Sequence, residues 1–104
     1  MPREKSRVVA GELRLDKVRF EVFLGRIEVR VTPSEFALLW TLASEAGKVF
    51  RRSELLTKVW GPKISIGPRT VDAHIKTLRK KLRVSSGSPM LIETVRGVGY
   101  RLRS

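Results

Sequence analysis

The chain contains no cysteine and a single histidine. The first absence excludes disulfides, thiolate zinc sites and thiol nucleophiles, and fits a reducing compartment. The second, with no cluster of carboxylates, leaves neither a nucleophile–base pair nor a metal-ligand set, so neither enzymatic activity nor a cofactor is expected. No glycine-rich phosphate loop follows a strand; Gly97-Val98-Gly99 lies in a hairpin pattern instead. Apolar runs are a few residues long, so no membrane span or membrane partner is expected. The N-terminal MPREKSR is charged and has no signal-peptide core, which points to a cytoplasmic protein. Acid is scarce too: 10 Asp and Glu stand against 22 Lys and Arg, a formal charge of +12.

What is present is enough for one small domain and too little for two, with 104 residues of which 41% are apolar. A single α+β domain over 1–104, ordered from about residue 7, is the expectation. The charge is uneven. Residues 1–54 carry a net +3, whereas residues 55–104 carry a net +9 and hold only two acids, Asp72 and Glu93. A solvated surface normally mixes both signs. So steep a gradient points to a polyanion, nucleic acid before an anionic membrane surface.

Residues 7–31 alternate apolar and polar in short runs: Leu13 and Leu15; Phe20, Val22 and Leu24; Ile27, Val29 and Val31. Gly11 and Gly25 sit at the breaks, so three or four antiparallel strands are predicted. Thr32-Pro33-Ser34-Glu35 is a helix start, with a capping threonine, proline at the first helical position and a glutamate to close a capping box. That helix should run to Ala46, stop at Gly47 and be central, because its residues, Trp40 included, leave little polar face. Val49-Phe50 reads as an extended link. A second helix covers roughly Arg52 to Trp60, burying Leu55, Leu56 and Val59, and ends at Gly61-Pro62. Residues 61–67 form a loop.

From Gly67 the chain reads GPRTVDAHIKTLRKKLR, then a Ser/Gly/Pro break, then LIETVRGVGYRLR. Pro68 opens a third helix, 68–84, with Gly67 as a tolerable cap. Val71, Ile75, Leu78 and Leu82 form one apolar stripe. At about 100° per residue, Arg69, Ala73, Lys76 and Lys80 cluster opposite; Asp72, Thr77 and Arg83 flank them, and His74 and Arg79 lie nearer the stripe. Ser85 to Pro89 should break the helix. Leu91–Val95 and Gly99–Arg103 read as strands of a hairpin, 91–103, around Arg96-Gly97-Val98, with Gly97 and Gly99 serving the turn. Helix, loop, basic helix and hairpin in this order make a winged helix-turn-helix. A helix fits the major groove, where each base pair shows a distinct donor and acceptor pattern. A hairpin beside it can place an arginine in the narrow, strongly negative minor groove.

Four segments carry a resemblance: VTPSEFALL (31–39), VFRRSELLTKVWG (49–61), RTVDAHIKTLRKKL (69–82) and IETVRGVGYRL (92–102). In this order and spacing they resemble the C-terminal effector domain of OmpR/PhoB-type response regulators over nearly the whole chain, from about Val8. The resemblance implies a sequence-specific transcription regulator of a two-component system that binds double-stranded DNA. It further implies a receiver domain N-terminal in the full-length protein, and head-to-tail dimers on direct-repeat half-sites. By position, Arg69, His74, Lys76 and Arg79 match residues that hold phosphates or flank the groove; Asp72, Ala73 and Thr77 match residues that face base edges. Thr94 and Tyr100 match hairpin phosphate contacts, Arg96 the minor-groove arginine, and Trp60 an indole that can donate to a phosphate. Thr70 and Lys80 complete the candidate DNA-binding set. Thr77 replaces a residue that is often long and basic in relatives, so a different base preference follows. RNA polymerase is an implied partner through loop 61–68, although GPKISIGP has one lysine and none of the acids often found there. Arg51 stands where relatives often have a capping threonine, so either Ser53 caps one turn later or the helix starts less firmly.

Blander readings stand beside these. Lys76 and Lys80 could be a solvated face, Trp60 is first a partly buried core edge, and His74 is as readily a packing residue as a phosphate donor. Arg96 is the sharpest case, since a turn-tip arginine gives the fold nothing obvious. A sequence-indifferent DNA coat would fit the charge, but an acid beside the groove-facing residues argues against it. A winged helix used for protein contact is a third class. The isolated chain is expected to be a monomer that pairs on DNA.

Overall fold

A computed structural model of the chain describes residues 6–62, 66–86 and 91–103. Four short strands come first: β1 (Arg7–Ala10), β2 (Leu13–Asp16), β3 (Glu21–Leu24) and β4 (Ile27–Glu28). They pair antiparallel in chain order. Strict alternation sets the register. Val8, Leu13, Leu15, Val22 and Leu24 are buried on one face, while Val9, Arg14 and Phe23 line the other. Two apolar residues leave the expected pattern. Ile27 is 49% exposed, and Phe20 sits in the β2–β3 turn at φ 56°, its ring stacked on Phe36 at 4.5 Å. Asp16 fixes that turn, accepting from the backbone N–H of Val18 and Arg19 at 2.9 Å each.

Helix α1 (Pro33–Ser44) begins as its sequence dictates. Thr32 accepts from the Glu35 N–H and Glu35 accepts from the Thr32 N–H, a reciprocal capping box. It ends two residues before the expected Ala46, and the Gly47 N–H turns to the Leu102 carbonyl instead of the helix. Phe36, Leu38, Leu39, Leu42 and Ala43 are buried, and Trp40 is half-buried, stacked on Phe36. Phe50–Arg51, read as a link, is a strand, β5, that pairs with the hairpin. Helix α2 (Arg52–Trp60) starts with Arg51 in the capping position and no side-chain cap; Ser53 lies inside the helix. Glu54 supplies half of a box by accepting from the Arg51 N–H at 2.8 Å. Of its expected core residues, Leu55 is fully buried and Leu56 and Val59 are half-buried.

Helix α3 (Arg69–Ser86) runs past the break expected at Ser85, since serine is tolerated in a last helical turn and the first glycine is Gly87. Val71, Ile75, Leu78 and Leu82 are all buried. The hairpin follows as β6 (Ile92–Val95) and β7 (Gly99–Leu102), and β7 lies between β5 and β6. Gly97 has φ 78°, as a tight turn requires. Gly99 is not needed for the turn, contrary to expectation: a Cβ there would lie 1.9 Å from the Phe50 carbonyl oxygen, so the close approach of β5 demands glycine. One core joins both sheets through α1, and Phe50, Ile92 and Leu102 of the second sheet belong to it. No helix among the described residues is long and apolar enough to cross a membrane.

Candidate nucleic-acid interface

Burying the apolar stripe of α3 turns its other side outward. Arg69, Ala73, Lys76, Lys80 and Arg83 are exposed. No acid lies among them. At the N-terminal end Thr70 donates its N–H to the Gly67 carbonyl at 3.1 Å, which closes the first turn behind Pro68.

The half-buried residues of α3 are committed to the scaffold. His74 Nδ1 lies 2.8 Å from the Thr70 carbonyl oxygen; a carbonyl only accepts, so this bond needs the proton on Nδ1. The Trp60 ring meets the His74 ring edge-on at 5.0 Å, so both pack at the seam of α2 and α3. Arg79 donates through Nε to the Ile92 carbonyl at 3.0 Å and through Nη2 to the Thr94 hydroxyl at 2.6 Å, and its guanidinium sits over the Tyr100 ring. Asp72 accepts from Arg52 with both oxygens, at 2.6 and 3.1 Å, and from the Tyr100 hydroxyl at 2.7 Å. Burial, then the hydrogen bond to Asp72 and its negative charge, push the Tyr100 phenol above its ordinary range.

Thr77 is exposed, yet its one hydroxyl proton is shared between Glu35 Oε2 at 2.7 Å and the His74 carbonyl at 3.0 Å. Glu35, 3% exposed, also accepts from Lys81 at 2.5 Å. Burial alone would raise its carboxyl. The Lys81 bond, the Thr32 N–H and the Thr77 hydroxyl together outweigh it and hold the group below the usual carboxylate range.

At the hairpin tip Arg96, Gly97 and Val98 are exposed. Glu93, the acid nearest in sequence to Arg96, takes Arg101 at 2.9 Å and lies 3.9 Å from Arg103. Arg96 makes no hydrogen bond or ion pair among the described residues. The expected set therefore divides into an outward group (Arg69, Ala73, Lys76, Lys80, Arg96), a scaffold-bonded group (Asp72, Arg79, Thr94, Tyr100, with Thr77) and a seam group (Trp60, Thr70, His74). Sequence reasoning missed Arg52, Glu35 and Lys81. A lone acid in a cationic helix was the one signal that a basic partner for Asp72 lay elsewhere. Lys63, Ile64 and Ser65, in the loop assigned to RNA polymerase, lie outside the described residues.

The chain matches the family described as "Transcriptional regulatory protein, C terminal" over residues 26–102. It is 48% identical over 94 residues to the phosphate regulon transcriptional regulatory protein PhoB of Rhizobium meliloti, covering 90% of this chain and 41% of that protein. It is 44% identical over 101 residues to the transcriptional regulatory protein VxrB of Vibrio cholerae, covering 97% and 39%. The chain thus spans about two fifths of the length of these relatives. Among solved structures, the AdeR DNA-binding domain in complex with an intercistronic region superposes with a TM-score of 0.83 at 31% identity, covering 92% of this chain and 98% of that one. The Klebsiella pneumoniae RstA DNA-binding domain in complex with the RstA box gives 0.80 at 35%, covering 95% and 98%.

Proposed function

The chain belongs to the family of transcriptional regulatory protein C-terminal domains, the OmpR/PhoB-type effectors of response regulators, and on that footing we propose that it binds double-stranded DNA sequence-specifically. In this reading α3 enters the major groove and the hairpin wing reaches the minor groove. One observation carries it: the outward face of α3 is cationic and acid-free, and beside it stands Arg96, which has no hydrogen-bond or ion-pair partner among the described residues. Lys76, Lys80 and Arg69 would hold phosphates, Ala73 would face base edges, and Arg96 would enter the minor groove.

The wider assignments are part of the same proposal. Residues 1–104 act as a single DNA-binding domain, cytoplasmic and without catalytic activity. In the full-length protein a receiver domain precedes it. Alone it is a monomer, and it pairs on direct-repeat half-sites. A polymerase contact through loop 61–68 would use a lysine in place of acids.

The test is selection of bound duplexes from a random library, followed by titration of the selected and a scrambled duplex at one salt concentration. A specific regulator should prefer its site by about a thousandfold or more. Equal affinity for both duplexes would reduce the chain to a sequence-indifferent binder.

A further inference from the structure

Asp72 poses a chemical question. A carboxylate in the first turn of a groove-docking helix repels phosphate, yet it could read a base by accepting from a cytosine amino group. Its surroundings answer differently. Arg52, at the start of α2, grips both oxygens as a fork, and the Tyr100 hydroxyl of β7 donates to one of them. Tyr100 is itself held from the other side, since the Arg79 guanidinium covers its ring and bonds the Ile92 carbonyl and the Thr94 hydroxyl of β6. Thr94 and Tyr100 are direct cross-strand partners. The result is a closed belt from α2 through α3 to both strands of the wing. It lines an open cleft of about 300 Å³ whose wing-side wall carries Arg96.

Resting on the DNA-binding reading above, we propose that Asp72 is a positioning residue: with Arg52 and Tyr100 it locks the wing at a fixed angle to the recognition helix, so that Arg96 and the outward face of α3 engage DNA as one rigid reader. Stability alone does not account for the belt. Arg52 and Asp72 are 43% and 37% exposed, and ion pairs so open to solvent add little to folding. A forked guanidinium–carboxylate pair nevertheless fixes direction as well as distance. The nearly buried phenol carries that direction into β7.

The consequence is energetic coupling between wing and belt. Tyr100→Phe removes one hydroxyl and keeps the ring that fills the core and stacks under Arg79. It should weaken binding to the selected site by about 5- to 10-fold. In that background Arg96→Ala should cost at least about threefold less than it does in the parent, because a wing no longer held at its angle has already lost much of the Arg96 contact. Lys80→Ala, which alters the outward face of α3, should cost the same factor in both backgrounds. Arg52→Lys keeps the charge but not the fork and should reproduce the Tyr100→Phe pattern. Melting curves establish that each variant is folded, and a merely structural role would move melting without coupling to Arg96.

A second readout separates holding from reading. Site selection with Asp72→Asn should return the parent motif with weaker preference at the flank beside the wing. A changed base in the motif would make Asp72 a reader and overturn the inference. So would equal costs of Arg96→Ala in the parent and Tyr100→Phe backgrounds, while specific DNA binding itself still stood. Loss of specificity in the parent chain would remove the functional reading and this inference together.

Discussion

Glu35 offers the most direct test of how the recognition helix is held. Its carboxylate is almost wholly buried and makes three bonds, to the Thr32 N–H at 2.9 Å, the Thr77 hydroxyl at 2.7 Å and Lys81 at 2.5 Å. One bond caps α1; the other two tie α1 to α3. Glu35→Ala removes the capping partner, worth about 1 kcal/mol, and strands a lysine and a hydroxyl. Breaking a buried pair costs about 3–5 kcal/mol, but Lys81 is 37% exposed and water recovers part of that. The expected total is roughly 2–4 kcal/mol, or a fall in Tm of about 10–25 °C for a domain of this size. Glu35→Gln keeps the shape and can still accept from Thr32, so it should cost about half as much.

The pH dependence fixes the cause. The carboxyl of Glu35 is lowered by folding, so its contribution is fully present above the ordinary unfolded carboxylate range and is lost as pH falls through the lowered native value. Urea unfolding of the parent and Glu35→Gln should therefore differ most near neutrality and converge in acid. A gap that stays constant or widens as pH falls would refute the reasoning, because it would mean that the ionised carboxylate contributes nothing beyond its shape.

Arg96→Ala should leave Tm almost unchanged, since Arg96 bonds to nothing among the described residues, yet should cost about 1–3 kcal/mol of affinity, most on sites with an A·T-rich flank; equal binding by parent and variant would remove the wing from the reading surface. Gly99→Ala should lower stability by about 3 kcal/mol or more because the new Cβ meets backbone atoms of β5, whereas Gly97→Ala, in open space at positive φ, should cost only about 1–2 kcal/mol, an order that thermal melting checks. Non-specific duplex binding should weaken with salt along a log–log slope of roughly −4 to −5, and Lys76→Ala should flatten that slope by about one while weakening all sequences alike.

What the sequence made legible was local. Thr32-Pro33-Ser34-Glu35 starts a helix through bonds made within one turn, and the stripe Val71, Ile75, Leu78, Leu82 needs only helical period to be seen. What it hid depends on partners far along the chain. β5 is two residues long, too short to show a period, and exists because β7 lies beside it. Asp72 meets Arg52 across 20 residues, and Thr77 meets Glu35 across 42. A helical wheel puts Thr77 at the edge of the outward face; that α1 occupies that side cannot be read from α3 alone. The same wheel placed His74 and Arg79 toward the core stripe, and there they are, because that inference needed nothing beyond the helix itself.

Pairing of the acids turns a charge imbalance into a directed surface. The second half of the chain holds two carboxylates, Asp72 and Glu93, and both sit on elements of the proposed interface. Left open, either would oppose phosphate. Arg52 and Tyr100 occupy the first, and Arg101 and Arg103 the second, so both carboxylates are already engaged within the fold. Arg101 and Arg103 thereby spend their charge within the wing, and Arg52 spends its own at the start of α2. Among the described cations without such partners, Arg69, Lys76, Lys80 and Arg83 stand on α3 and Arg96 on the wing, the two elements whose shapes fit the two grooves. It is this distribution, more than the net charge, that favours a duplex over an arbitrary polyanion: total charge sets attraction, but the positions of the unpaired cations set which surface of the partner they reach.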